Sequence, residues 1–380
     1  MNRFKVCHFA SALGGLDSRL FHLECVPLAA SGVDVCFVGP HGINGKHLGV
    51  QLLSSPVRRN RAVRMFTAPL LLGKLLRQRA VIYHFHNPEL IPVGLVLKLL
   101  FRKRVVYDVW EDFPTTMRNK RYIPGPLRGV AKTAVCLAEG IAARCFDGVV
   151  TADPFTLRRF ARKGGSRKIV FFNFPNLEFF PPPNRAEKRF DFVYRGGLSE
   201  RAGTLVLLEA MRLTIDRGKR PRLLLVGYYD DERTRQLVEC QISRTIPEEL
   251  IEIHSKVPHE TMAATLAEAR VGVCPLLAVP KFLLNLPVKV WEYWACGLPV
   301  IATDLPPAKL FVRHGENGLL VPAGNASALA SAFEWMMDHG EAASEMGANG
   351  RSGIVTRFNN AREVPRLISF YRTIMGISKC

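Results

Sequence analysis

The stretch NFPNLEFFPPPNRAEKRF, residues 173–190, lies near the middle of the 380-residue chain and carries three consecutive prolines. Proline fixes its own φ and lacks an amide donor, so such a stretch joins neither a helix interior nor a central strand. It divides the chain, and the same pattern stands on either side of it. Upstream, the apolar runs FKVCHFA, VDVCFVG, AVIYHFH, RVVYDVW and DGVVTAD alternate with helical patterns, one from about Ser18 to Ala30 and one after Pro88. Downstream, FDFVYRGGLSERAG leads into the helix TLVLLEAMRLT, followed by PRLLLVG, IEIHSKV, VGVCPLL, LPVIATD and NGLLVPA. Strands alternating with amphipathic helices imply βαβ units and parallel sheets. The expected class is therefore α/β, with two Rossmann-like doubly wound domains facing a central cleft. The expected boundaries are 1–180 for the first domain, 181–190 for a linker and 191–360 for the second. A terminal helix at 361–380 is read as completing the first domain, although its pattern also allows it to close the second. Tandem domains of this kind bind ligands in the crevice beyond the carboxyl ends of their strands.

Composition narrows the partners. A content of 48% hydrophobic and 22% charged residues suits a soluble globular chain and excludes a disordered one. Nine cysteines without a Cys-x-x-Cys pair suggest neither a disulfide framework nor a zinc site, and fit a reducing compartment. MNRFKVCHFA reads into a strand rather than a leader, and the most apolar run, LIPVGLVLKLLF, is too short to span a bilayer. The net charge of +19 is unevenly spread: 27 Lys and Arg against 11 Asp and Glu in residues 1–184, but 25 against 22 in 185–380. Within 51–104, eleven basic residues, Arg58, Arg59, Arg61 and Arg64 among them, face only Glu89. Such a field attracts an anionic partner. Nucleic acid is not the expected one, because interleaved aromatics, helix-turn-helix, RRM and zinc patterns are all missing.

Several residue groups carry candidate chemistry. Gly14-Gly15 and Gly196-Gly197 each follow a strand and precede a helix, where backbone amides can approach a phosphate. Neither is a full Gly-x-Gly-x-x-Gly with a following acid, which disfavours a nicotinamide cofactor. In LPVKVWEYWACGLPVIATD, Lys289 and Glu292 stand one helical turn apart in an otherwise apolar stretch. A buried carboxylate needs a partner, and an ionised one can accept both hydroxyl protons of a cis-diol. His84 and His86 alternate with Phe85 and so share a face, with His86 the better site candidate at the strand end. Glu111 and Asp112 follow VVYDVW at another strand end, where Glu111 suits a general base and Asp112 a loop-fixing partner.

Taken together, GGLSERAG, PRLLLVG, VPHETMAATLAEARVGVCPLL, LPVKVWEYWACGLPVIATD and ENGLLVPAGNASALASAF resemble the carboxyl domain of family 4 GT-B glycosyltransferases. LDSRLFHLE, LAASGVDV, HFHNPELIPVGLVLKLL and RVVYDVWEDFP are similar to the amino domain of its bacterial surface-polysaccharide branch. The resemblance implies retaining transfer of a sugar from a nucleotide-diphosphate sugar, with no metal and no other cofactor. The acceptor it implies is a glycan or a lipid-diphosphate-linked sugar at the inner face of the cell membrane, where the basic first domain would meet anionic lipid. His86, Glu111 and Asp112 are read as catalytic from their strand-end positions. Gly14, Gly15, Gly196, Gly197, Arg201, Lys289 and Glu292 become donor-binding, with Glu292 on the ribose hydroxyls.

Four positions depart from the family pattern. Leu284 stands where many members have Glu, with Asn285 beside it as a substitute contact. Gly197 and Ala202 replace basic residues of the second-domain turn, which leaves diphosphate neutralisation to Arg201 with Arg195 or Lys289. Trp110 stands where the branch has His. These departures support an alternative expectation, a catalytically weak relative that scaffolds an assembly complex.

Overall fold

Each run read above as a strand forms part of a parallel ladder in the computed structural model, which describes residues 4–12, 16, 18–56, 68–118, 123–161, 164–182, 187–255, 257–258 and 261–377. Gly14, Gly15, Arg58, Arg59, Arg61 and Arg64 lie outside the described residues. The chain divides into two compact units, Met1–Asn173 with Asn360–Cys380, and Phe174–Asn359. The division thus falls ahead of the expected 181–190 linker. The cause is Phe174, which packs on Trp291 and Phe358 at ring centroid distances of 4.7 and 5.4 Å and draws the segment into the second unit.

The first unit holds eight strands: β1 (Lys5–Phe9), β2 (Asp34–Gly39), β3 (Gly45–His47), β4 (Val50–Ser54), β5 (Ile82–Phe85), β6 (Arg104–Val109), β7 (Gly148–Thr151) and β8 (Arg167–Val170). Their order is β3-β4-β2-β1-β5-β6-β7-β8, parallel throughout except for β3 against β4. One face is covered by the helices Leu71–Arg77, Ile91–Leu99 and Gly125–Cys145. The other lies under the π-helical segment Ser18–Cys25, the helix Val26–Ala30 and the terminal helix Asn360–Met375, whose Phe370, Tyr371 and Ile374 enter that core. The terminal helix therefore belongs to the first unit.

The second unit holds β9 (Phe190–Leu198), β10 (Leu223–Tyr229), β11 (Ile251–His254), β12 (Ala269–Cys274), β13 (Val300–Thr303) and β14 (Gly318–Val321), all parallel, in the order β11-β10-β9-β12-β13-β14. Strands buried on both faces read as continuous aliphatic runs, and LLLV of β10 does so. The first sheet has exceptions: His8, His84 and Asp108 are fully buried in β1, β5 and β6.

Candidate functional site

In the second unit the carboxyl end of β9 is shaped by close approach. Gly196 has φ +137°, and a Cβ there would stand 3.0 Å from Lys289 Nζ. Its register partner Gly227 on β10 would bring a Cβ to 1.8 Å from Gly196 O, so only glycine fits. Two tyrosines fasten this turn. Tyr194 Oη donates to Gly197 O at 2.8 Å, and Tyr293 Oη accepts from Arg195 N at 2.9 Å.

Tyr293 comes from the helix Val288–Ala295, which is buried continuously from Val290 to Ala295. A helix apolar around its circumference is packed on every side, and Glu292 lies inside it at 4% exposure. Glu292 Oε1 accepts from Arg195 Nη2 at 2.9 Å, whereas Oε2 is buried without a hydrogen-bond partner among the described residues. Burial pushes the Glu292 carboxyl up, against the pull of Arg195 and Lys289. A buried acceptor left without a donor costs about 1–3 kcal/mol, a penalty that a ligand hydroxyl removes. Lys289 rests its Nζ 4.0 Å from the Tyr194 ring centroid, beside Gly196. Pro287 gives this helix no side-chain cap, so its positive end is not neutralised locally.

Arg201 is partly exposed and donates through Nη2 to Asp230 Oδ2 at 2.7 Å. Ala202 is buried in the turn that Ser199 Oγ fastens through Ala202 N, so a long basic side chain there would have to enter the core. Leu284 and Asn285 lie half-buried in a turn closed by Asn285 N donating to Lys281 O at 3.1 Å. Sequence reasoning missed Arg195 as the partner of Glu292, and it missed Tyr228. The Tyr228 ring is exposed at the end of β10, 3.8 Å from where a Gly197 Cβ would stand.

The first unit places its candidates differently. His86 is 1% exposed, with Nδ1 3.1 Å from Asp108 Oδ2 and Nε2 3.1 Å from His8 Nδ1. Its ring turns into the interior at the end of β5. Glu111 is buried just beyond the carboxyl end of β6. Asp112 Oδ2 accepts from Thr115 Oγ1 at 2.5 Å and Oδ1 lies 3.4 Å from Arg159 Nε, so this carboxylate anchors the helix Phe113–Arg118. Its geometry is that of the loop-fixing partner. Trp110 also turns inward, its Nε1 donating to His86 O at 2.9 Å and its ring edge-on to Phe113 at 5.5 Å.

Two family models match in the order of the two units: "Glycosyl transferase 4-like domain" over residues 18–173 and "Glycosyl transferases group 1" over residues 189–339. The chain belongs to the GT-B glycosyltransferases of family 4. Among solved structures of the fold, sucrose-phosphate synthase from Thermosynechococcus elongatus is 20% identical, with a TM-score of 0.77 over 99% of this chain and 100% of that one. Anabaena HepE in complex with UDP-glucose is 15% identical, with a TM-score of 0.75 over 98% and 100%. Amylovoran biosynthesis glycosyltransferase AmsK of Erwinia amylovora is 29% identical over 139 residues, 35% of this chain and 32% of that protein. The match spans about a third of the length of that curated relative. Within this glycosyltransferase family, the glycine turn, Lys289 and Glu292 all fall in the group 1 domain.

Proposed function

We propose that the protein is a retaining glycosyltransferase that moves a sugar from a nucleotide-diphosphate sugar to a glycan or lipid-linked acceptor in bacterial cell-surface polysaccharide synthesis. The observation that carries this reading is Glu292, a buried carboxylate with one oxygen on Arg195 and the other without a hydrogen-bond partner among the described residues, beside a glycine turn. A ribose diol supplies the missing donors. HepE, solved with UDP-glucose, and AmsK, named for amylovoran biosynthesis, support the donor class and the polysaccharide setting.

Catalysis on this reading is positioning and electrostatics. Lys289 and the uncapped helix end take the charge of the departing diphosphate, and Arg201 joins them after releasing Asp230. Glu111 orients the acceptor hydroxyl, and no metal takes part in transfer. A thermal-shift panel of UDP, GDP and ADP with their sugars tests the donor assignment. The matching ligand at ~100 times its dissociation constant adds about 2.7 kcal/mol of stability, and release of the nucleoside diphosphate then measures turnover. No stabilisation by any nucleotide sinks the reading, and binding without turnover favours the scaffold.

The acceptor side of the proposal is a peripheral membrane surface on the cytoplasmic leaflet. No helix among the described residues is long and apolar enough to cross a membrane. The run ELIPVGLVLKLLF buries Leu90, Ile91, Val93 and Leu97 but surfaces at Leu99, Leu100 and Phe101, directly before Arg102, Lys103 and Arg104. Leu127, Val130, Leu137 and Ile141 are also exposed and fall on one stripe of the helix Gly125–Cys145. Apolar side chains among basic ones suit shallow insertion beneath anionic headgroups, each Lys or Arg contributing about 1 kcal/mol. Sedimentation with anionic vesicles should fall steeply between low and physiological salt and weaken when Leu99, Leu100 and Phe101 become serine. Equal affinity for neutral vesicles would leave a soluble acceptor.

A further inference from the structure

The first sheet buries ionisable groups where aliphatic ones are the rule. His8 and His84 are register partners on β1 and β5, and His86 shares their face two residues beyond His84. The three rings converge, with centroids 4.7 Å apart for His8–His84, 5.3 Å for His8–His86 and 4.7 Å for His84–His86. Glu24 reaches them from the π-helical segment. Arg19 and Glu24 are five residues apart, the repeat of a π-turn, so both point at the same face, with Arg19 Nε 3.3 Å from Glu24 Oε1. Glu24 Oε2 faces the imidazoles, 3.7 Å from His8 Nδ1, 3.9 Å from His84 Nδ1 and 3.9 Å from His86 Nε2.

The imidazoles do not satisfy one another. His86 directs Nδ1 at Asp108, which Arg19 holds through Nη2 at 2.9 and 3.0 Å, so the His86 proton sits on Nδ1 and its Nε2 is a lone pair. His8 Nδ1 then donates to that lone pair and His84 Nδ1 pairs with Tyr371 Oη at 2.7 Å, so the other nitrogens, His8 Nε2 and His84 Nε2, are the ones buried without a hydrogen-bond partner among the described residues. One ligand atom from each of His8, Glu24, His84 and His86 lies within 4.8 Å of every other.

We propose that His8, Glu24, His84 and His86 form a closed structural site for one divalent cation of the zinc class, pinning the π-helical segment Ser18–Cys25 to β1 and β5. Three imidazoles and one carboxylate match the donor preference of zinc, and four protein ligands without solvent access leave no open position for catalysis. Ligand atoms around a tetrahedral zinc stand about 3.3 Å apart; the Glu24 contacts and the His8–His86 pair are at 3.1 to 3.9 Å and the whole set lies within 4.8 Å, so binding would draw the ligands together. Asp108 behind His86 supplies the carboxylate that fixes a ligating ring. The site is separate from the donor-binding reading and does not rest on it.

The test uses the full chain. Purified protein, stripped by a chelator and reloaded with zinc, should hold one equivalent by elemental analysis, with its melting temperature lowered by stripping and restored by zinc. Cobalt should give the intense visible absorption of four-coordinate nitrogen and oxygen ligation, and X-ray absorption should show imidazole without sulfur. Asp108→Asn should lower zinc affinity by about 10–100-fold, and Glu24→Gln and His86→Gln by more. A wild-type protein that takes no zinc and melts alike with zinc or chelator overturns the proposal. So does sulfur in the metal's shell, or a cobalt spectrum that survives in folded His86→Gln. Because the wild-type measurements decide by themselves, a variant that fails to fold does not shelter the idea.

Discussion

Both units bury a glutamate, and the surroundings give the two carboxylates different work. Glu24 of the first unit is fully buried amid His8, His84, His86 and Arg19, contributed by two strands and its own π-helical segment. Glu292 of the second unit is almost as buried, yet it has one fixed partner and sits beside a glycine turn, a lysine and an uncapped helix end. Burial of charge alone therefore does not say what kind of ligand a site takes. What separates the two is whether the surrounding groups are ligand-forming neighbours inside a core or open positions at strand ends, where an incoming molecule can complete the set.

The largest expected effect breaks the first cluster. Asp108→Ala leaves the Arg19 guanidinium buried against fewer opposing charges, and losing one partner of a buried pair costs about 3–5 kcal/mol. Urea denaturation should show that loss in the first unfolding transition, while nucleotide affinity in the folded variant stays unchanged. A stability change under 1 kcal/mol would mean that the cluster is not a fastener. Glu292→Ala should do the reverse, weakening nucleotide binding by about 1.5–3 kcal/mol in calorimetry while leaving the fold intact. Unchanged affinity removes the ribose assignment.

A pH series sharpens the contrast. Glu292 has a raised carboxyl pKa, so the folded protein binds its proton more tightly than the unfolded chain does. Its protonated form stabilises the fold at low pH, and that contribution is lost as pH rises through the folded value. Nucleotide binding needs the ionised acceptor and runs the other way. Affinity should fall as pH is lowered through the raised value, approaching about tenfold per pH unit below it, and Glu292→Gln should abolish that dependence. A pH-independent wild-type affinity would show that Glu292 does not meet the ribose.

How much of this was legible depended on the distance over which the information acts. The parallel strands announced themselves because LLLV or VVY needs no partner to read as buried. By contrast β3 is three exposed residues, and β8, RKIV, is an edge strand with two basic residues, so neither resembles a buried run. Glu292 was visible because its neighbours in sequence are also its setting, but Arg195 reaches it from 97 residues away. The histidine cluster needed the register of β1 against β5 and a five-residue helical turn, neither of which periodicity reveals. A search for zinc by cysteine spacing looks past it. Trp110 reads as a lost histidine in sequence, whereas its indole bonds the His86 carbonyl. Trp110→His should therefore cost about 0.5–1.5 kcal/mol of stability by removing that bond, with no gain in turnover. A strong gain would revive the degenerate-enzyme reading.

The smallest expected effect concerns Arg201, and it asks whether the second site is completed by charge as well as by hydroxyls. Its ion pair with Asp230 is partly exposed, and such pairs contribute about 0–1 kcal/mol, so Arg201→Ala should barely move the melting temperature. Releasing Asp230 is correspondingly cheap, which leaves the guanidinium able to turn to a diphosphate and form charge-assisted hydrogen bonds there. The variant should then lose affinity for the nucleoside diphosphate while binding of the nucleoside, which Glu292 governs, stays as it was. Since Ala202 is buried, Arg201 is the basic group this turn presents at the surface, and Lys289 remains beside Gly196 to hold part of the charge. Equal losses for both ligands would show that Arg201 shapes the turn instead of meeting phosphate, and would assign the diphosphate to Lys289 and the helix end.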